Sequence, residues 1–228
     1  WGDFEAALAR YEEALATGEA ALRDAAPTPY NRAYLVGALS RLGLVRERLG
    51  RTASAREALD RALATARELG TRHLIAQVLL DRGRLARESG DLDSALASHE
   101  EALALATSAR LEPDEALSLA ELGQDALGRG DADAALALFE RALHWKAVSG
   151  SPEIAGAVHS GIARARERLG QLGPAAEQDD LAVDAIESVR LGTLSEARRL
   201  GFWRVRQGGF RSAIALRPLF PVARNNLG

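Results

Sequence analysis

The chain has 228 residues, 47% hydrophobic, 5% aromatic and 27% charged, with a formal net charge of −3 and neither Cys nor Met. Without cysteine there is no disulfide framework, zinc-thiolate site, iron–sulfur cluster or cysteine nucleophile, and a near-neutral charge supplies no basic face for nucleic acid. No run approaches the roughly eighteen apolar residues that a transmembrane helix needs. Trp1 opens the chain with neither an initiator Met nor a signal peptide, so the expectation is a fragment or processed product, cytoplasmic by default.

The elements follow a forty-residue rhythm, set by Gly50, Gly90, Gly130 and Gly170. A period of that length marks stacked supersecondary units. Residues 2–24 read as the second helix of a partial hairpin, with Gly2, Ala7, Tyr11, Ala14 and Leu15 in register but forty-eight residues ahead of Gly50. The eight extra residues fall between Leu15 and Leu42, a stretch that includes Pro27 and Pro29, and predict a longer helix plus a Pro-rich loop, the alternative being a specific docking loop.

Four two-helix units follow, at about 31–70, 71–110, 111–150 and 151–190, each split by a glycine turn such as Gly90-Asp91. In the third, Leu117, Ala120, Leu122 and Ala126 fall at helical spacing, and so do Ala135, Leu138, Phe139, Ala142 and Leu143. Asp91 and Asp131 stand where an N-cap belongs. Ser151-Pro152-Glu153 reads as cap, first turn and acidic second position, Pro113 as a helix start, and Pro174 as a first-turn residue. Mid-helix Gly43, Gly83, Gly123 and Ala163 let neighbouring backbones approach, while Tyr11, Leu59, Phe139 and Phe210 fill the gap one turn away. Residues 191–228 fit the register poorly. They read as degenerate or capping helices that end inside a further repeat, so both ends look cut from a longer array.

The pairs Leu42-Gly43, Leu122-Gly123 and Leu227-Gly228 belong to a pattern in which a Gly-x-x-x-x-Ala-x-x-x-aromatic/Leu-x-x-Ala-Leu run recurs, clearest over Gly2–Leu15 and Gly130–Leu143. In this the chain resembles the tetratricopeptide repeat family, in the forty-residue, long-helix form of kinesin light chains and large bacterial regulators. Asp179 departs from the pattern where a large apolar residue is expected, and Ala163 where Gly is usual. The resemblance implies an all-α solenoid of antiparallel helix-turn-helix hairpins over residues 1–190, wound into a right-handed superhelix. It also implies that the first helices line a concave groove. Its residues would be Ser40, Arg41, Leu44 and Arg48, then Gln77, Asp81, Arg84 and Arg87, then Glu121 and Gln124, and finally Ser160, Arg164 and Arg168. The Lys/Asn carboxylate clamp of chaperone-binding members is absent. Arginines at several levels suit acidic or carboxylate-bearing peptides as planar donors, diluted by Asp81 and Glu121. Alanine at Arg84 and Arg164 is expected to weaken a cognate peptide without moving the thermal midpoint.

No catalytic, cofactor or metal site is expected. His73, His99, His144 and His159 are never three or four apart and read as structural or surface residues. Glu100-Glu101 and Asp179-Asp180 read as solvated faces, Gly128-Arg129-Gly130 as a turn with no strand before it, and Arg129-Gly130-Asp131 as part of that turn. The run Arg56-Glu57 to Asp60-Arg61 suggests pairing four residues apart along one helix. The expectation is a non-enzymatic scaffold for a protein or peptide partner, or for another domain of a longer chain, with no nucleic-acid or membrane partner. The alternative is the sensor arm of a larger bacterial signalling protein. Ala185–Arg190, Ser195-Glu196 and Phe202–Gln207 are similar to helices that join such repeats to CHAT-type peptidases, and the same arrays serve transcription regulators that carry an ATPase domain.

Overall fold

A computed structural model describes residues 2–24, 28–145, 148 and 150–192. The expectations for Pro27 and for most of 191–228, including Ser195, Phe202–Gln207, Phe210 and Leu227-Gly228, lie outside them. Among the described residues the chain is helical throughout: α1 Gly2–Asp24, α2 Pro29–Arg48, α3 Thr52–Leu69, α4 Arg72–Glu88, α5 Leu92–Ala109 and α6 Glu112–Arg129. After them come α7 Ala132–Leu143, α8 Pro152–Arg168 and α9 Leu172–Gly192.

Local chemistry sets these boundaries. The carboxylates of Asp91 and Asp131 accept from the backbone N–H of Ser94 (3.1 Å) and Ala134 (2.9 Å), and so cap α5 and α7. Hydrogen bonds from Ser94 hold Asp91 below the usual carboxylate range. Thr28 and Ser151 cap α2 and α8 in the same way, each followed by a proline at the first helical position. Pro113 and Pro174 fall in first turns, where no intrahelical N–H is lost. The chain leaves α3 through Gly70 at φ 71°, a left-handed turn that costs glycine little. One repeat later Arg110 makes the same turn at φ 55°.

The chain divides into two compact units after Arg129. In the first, consecutive helices pack as antiparallel neighbours, and α2, α4 and α6 also touch one another in series. First helices therefore form one layer and second helices the other. The core between them holds Leu35, Leu39, Leu63, Val78 and Leu79, with Ala62, Ala66 and Ala102 at points of close approach. A Cβ on Gly43 would lie 2.8 Å from Leu59 Cγ, so the glycine is what admits the leucine. In the second unit α8 packs on both α7 and α9, and Gly161 similarly makes room for the buried Phe139 ring.

The charges of α3 pair differently from the sequence expectation. Arg61 reaches Glu19 on α1 at 2.5 Å and Asp60 meets Arg82 on α4 at 3.1 Å, so these pairs run between helices. Packed neighbours bring opposite charges within reach, and the i,i+4 partners on the same helix are left aside.

Candidate functional site

In the first unit the facing sides of α2 and α4 leave a concave cleft of about 310 Å³. Six expected groove residues line it: Ser40, Arg41 and Leu44 from α2, and Gln77, Asp81 and Arg84 from α4. The helical period explains this convergence, since 37, 40, 41, 44 and 48 share one stripe of α2, as 77, 81, 84 and 88 share one of α4. Val36, Leu74, Val78 and Leu117 give the cleft apolar walls. Arg48 is exposed one turn past Leu44, and Arg87, Glu121 and Gln124 continue from α4 toward α6. Ser160, Arg164 and Arg168 stand on one stripe of α8 in the second unit, the two arginines exposed.

The arginines of the cleft are not equivalent. Arg84 donates through Nη2 to Asp81 Oδ1 at 2.5 Å and points Nε at Glu121 Oε1 from 3.5 Å. Arg87 donates to Glu121 Oε2 at 2.7 Å and to Asp125 Oδ1 at 2.9 Å. Burial pulls the Arg87 guanidinium down, but Glu121 and Asp125 outweigh it and hold the group above its ordinary value. Burial raises the Asp81 carboxyl, against the opposing pull of Arg84 and then Arg41. Arg41 is exposed and makes no hydrogen bond or ion pair among the described residues. Within this set it is the cation most open to an incoming anion.

Sequence reasoning missed what anchors this network. Asp125, 1% exposed, turns its second oxygen to His99 Nδ1 at 2.5 Å, while His99 Nε2 faces the Leu80 carbonyl at 3.3 Å. Asp125 and the Leu80 carbonyl thus flank the ring at its two nitrogens. A polar chain therefore runs Asp81–Arg84–Glu121–Arg87–Asp125–His99, from the cleft into the core. The signal was in the register: His99 occupies the position of Leu59 and Phe139, and Asp125 that of Val45 and Leu85. Gly83 makes this possible, because a Cβ there would overlap the His99 ring. A second such pair joins His73 Nδ1 to the buried Asp114 at 2.6 Å, where Asp114 replaces Tyr34 and Leu74 of the register. The remaining two histidines make hydrogen bonds to Glu140 and Gln178. Among the described residues no group of three or more His, Asp or Glu is placed to hold a metal, and no helix is long and apolar enough to cross a membrane.

Comparison with known proteins now adds to this geometry. Residues 34–108 match the sequence profile described as "Tetratricopeptide repeat". No curated protein sequence matches the chain. Among solved structures, the chain is similar to BtubC (BKLC) from P. vanneervenii, at 22% identity and TM-score 0.62, over 83% of this chain and 75% of that one. It is similar to the Rap conjugation gene regulator of plasmid pLS20, solved with a Phr peptide, at 18% identity and TM-score 0.66; 83% of this chain aligns, spanning 52% of the regulator. A Podosopora anserina protein with nearly identical kinesin-light-chain repeats aligns at 18% identity and TM-score 0.56, over 82% of this chain and 89% of that one. Residues 34–108 belong to the tetratricopeptide repeat family, and the described hairpins on either side of that stretch share its fold.

Proposed function

We propose that the chain is a non-enzymatic scaffold that receives a protein or peptide segment in the cleft between α2 and α4. The observation that carries this reading is the cleft itself, where apolar walls at Leu44, Leu74 and Val78 lie beside polar groups at Ser40, Gln77 and Arg41. Specific sites combine apolar contact area with a few fixed polar groups in this way. The fold it shares with the Rap regulator, which was solved with a Phr peptide, supports the reading. Chemistry then narrows the partner to one that carries a carboxylate. Arg41 stands exposed, whereas Arg84 and Arg87 already hold carboxylates of the chain itself.

Gln77→Trp tests this, because Gln77 is exposed and an indole there fills the cleft without entering the core. Peptides selected by display on the native chain are expected to lose at least about ten-fold in affinity by calorimetry, about 1.4 kcal/mol. Equal affinity would assign binding to another surface. Arg41→Ala is expected to weaken acidic peptides at an unchanged thermal midpoint. Arg84→Ala, by contrast, frees Asp81 and lowers that midpoint as well.

A further inference from the structure

Glycine inside a helix destabilises it relative to alanine, so a mid-helix glycine is informative through what it faces. Gly43, Gly83 and Gly161 make room for Leu59, His99 and Phe139, and a Cβ on Gly156 would stand 3.2 Å from Ile186 Cγ1. Gly37 answers to no such neighbour. It lies in the interior of α2, is exposed, and has no heavy atom within 4 Å of where its Cβ would be. The space it faces is the cleft, of which it is a lining residue. At the equivalent positions α4 carries Gln77 and α6 carries Leu117, and both line the same cleft. α2 leaves open a position that the next two first helices fill.

The surroundings of Gly37 set what fits there. Val36, Leu74, Val78 and Leu117 give the cleft its apolar walls, and its volume of about 310 Å³ is ample for a leucine side chain. Arg41 stands one turn further along the same stripe, about 6 Å up the helix axis. It is exposed and lies outside the ion pairs that hold Arg84 and Arg87. Asp81, the acid of the cleft that would oppose an incoming carboxylate, is taken by Arg84. In an extended chain, side chains two residues apart point the same way, about 6.6 Å from each other. A segment lying along α2 thus sets an apolar side chain over Gly37 and a carboxylate at Arg41 when one residue separates the two. We propose that Gly37 is a specificity-determining residue of the cleft, selecting an extended partner segment in which a leucine-sized apolar residue stands two positions from an acidic one. This rests on the reading of the cleft as the binding site.

Two acetylated, amidated peptides of one composition test this on the whole chain by nitrogen-15 NMR titration, which reads weak binding. Ala-Glu-Ala-Leu-Ala-Glu-Ala keeps each acid two positions from the leucine, and Ala-Ala-Glu-Leu-Glu-Ala-Ala moves both next to it. The first is expected to bind about three-fold more tightly than the second, as one exposed charge pair allows. Gly37→Leu installs the residue of Leu117 and is expected to bind the first peptide at least about ten-fold more weakly. Its thermal midpoint should hold or rise, since leucine favours a helix more than glycine does. With alanine in place of the peptide's leucine, the native chain and Gly37→Leu should bind equally. Equal affinity of the native chain for the two isomers, native affinity of Gly37→Leu for the first, or a lowered midpoint overturns the role of Gly37. If Arg41→Ala still weakens binding in those cases, the cleft reading stands. Absence of binding by the native chain also overturns the role of Gly37, and leaves the cleft to the Gln77→Trp test. Binding that neither Gly37→Leu nor Arg41→Ala disturbs removes both readings.

Discussion

At the scale of the residue, equivalent positions in successive repeats act as internal controls. Gly70 and Arg110 make the same left-handed turn after α3 and α5, but only glycine does so without steric conflict at Cβ. Arg110→Gly is therefore expected to raise stability by about 0.5–1 kcal/mol, read as a higher thermal midpoint. The gain is below the full steric relief because glycine also loosens the unfolded chain. Glu47, near the end of α2, offers a second test at this scale, since burial and then the neighbouring Glu88 push its carboxyl up. Its carboxyl rises from 4.5 to about 7 on folding, so between those values the folded chain binds more proton than the unfolded one. This group's contribution is complete below about pH 4.5 and lost as pH rises through 7. Urea unfolding at pH 5 and pH 8 should show the native chain losing stability relative to Glu47→Gln, and parallel changes would refute the assignment.

At the scale of the element, α4, α5 and α6 are held by packing and by a buried acid–base pair set into positions that are apolar in neighbouring repeats. Removing the Asp125 carboxylate leaves the enclosed His99 ring and the Arg87 guanidinium without a partner they both use. Asp125→Leu strips His99 of its carboxylate and Arg87 of one of two, which is expected to cost about 3–5 kcal/mol in urea unfolding. Replacing both partners, His99→Leu with Asp125→Leu, installs the residues of Leu59 and Leu85 and leaves Arg87 on Glu121. The double variant is expected to recover most of the loss, as buried ion pairs exchanged for well-packed apolar groups often do. An undiminished loss would mean that the pair organises α4 against α6 in a way that packing cannot replace.

The same elements show what a sequence makes legible. Turn glycines, the caps at Asp91 and Asp131, and the prolines at helix starts were readable because each answers to its own few residues of backbone. The stripe that placed Ser40, Arg41, Leu44, Gln77, Asp81 and Arg84 on one cleft was readable for a related reason, since helical period and repeat register together fix direction. Partners were not. Which acid Arg87 takes, and that Arg61 chooses Glu19 over its own helix, depends on side chains 34 and 42 residues away meeting across a packed layer. His99 and Asp125 sit between these cases. Their positions broke the register visibly, but that the two breaks compensate each other is a fact of packing.

At the scale of the whole molecule, a chain of repeats is held by nearest neighbours, so damage should stay near where it is made. Phe139 tests this. Its ring is fully buried against Gly161. Phe139→Ala is expected to cost about 3–5 kcal/mol, the transfer of the ring plus the cavity it leaves. In a closed globular core that loss would be shared by every element. Here hydrogen exchange is expected to quicken in α7, α8 and α9, while the amides of α2 and α4, which carry the cleft, keep most of their protection. Cleft-directed peptides should then bind the variant with native affinity under conditions where its α8 amides exchange freely. Uniform loss of protection along all the described helices would show that the chain unfolds as one cooperative body, and would remove the ground for treating the cleft as separable from the hairpins beyond Arg129.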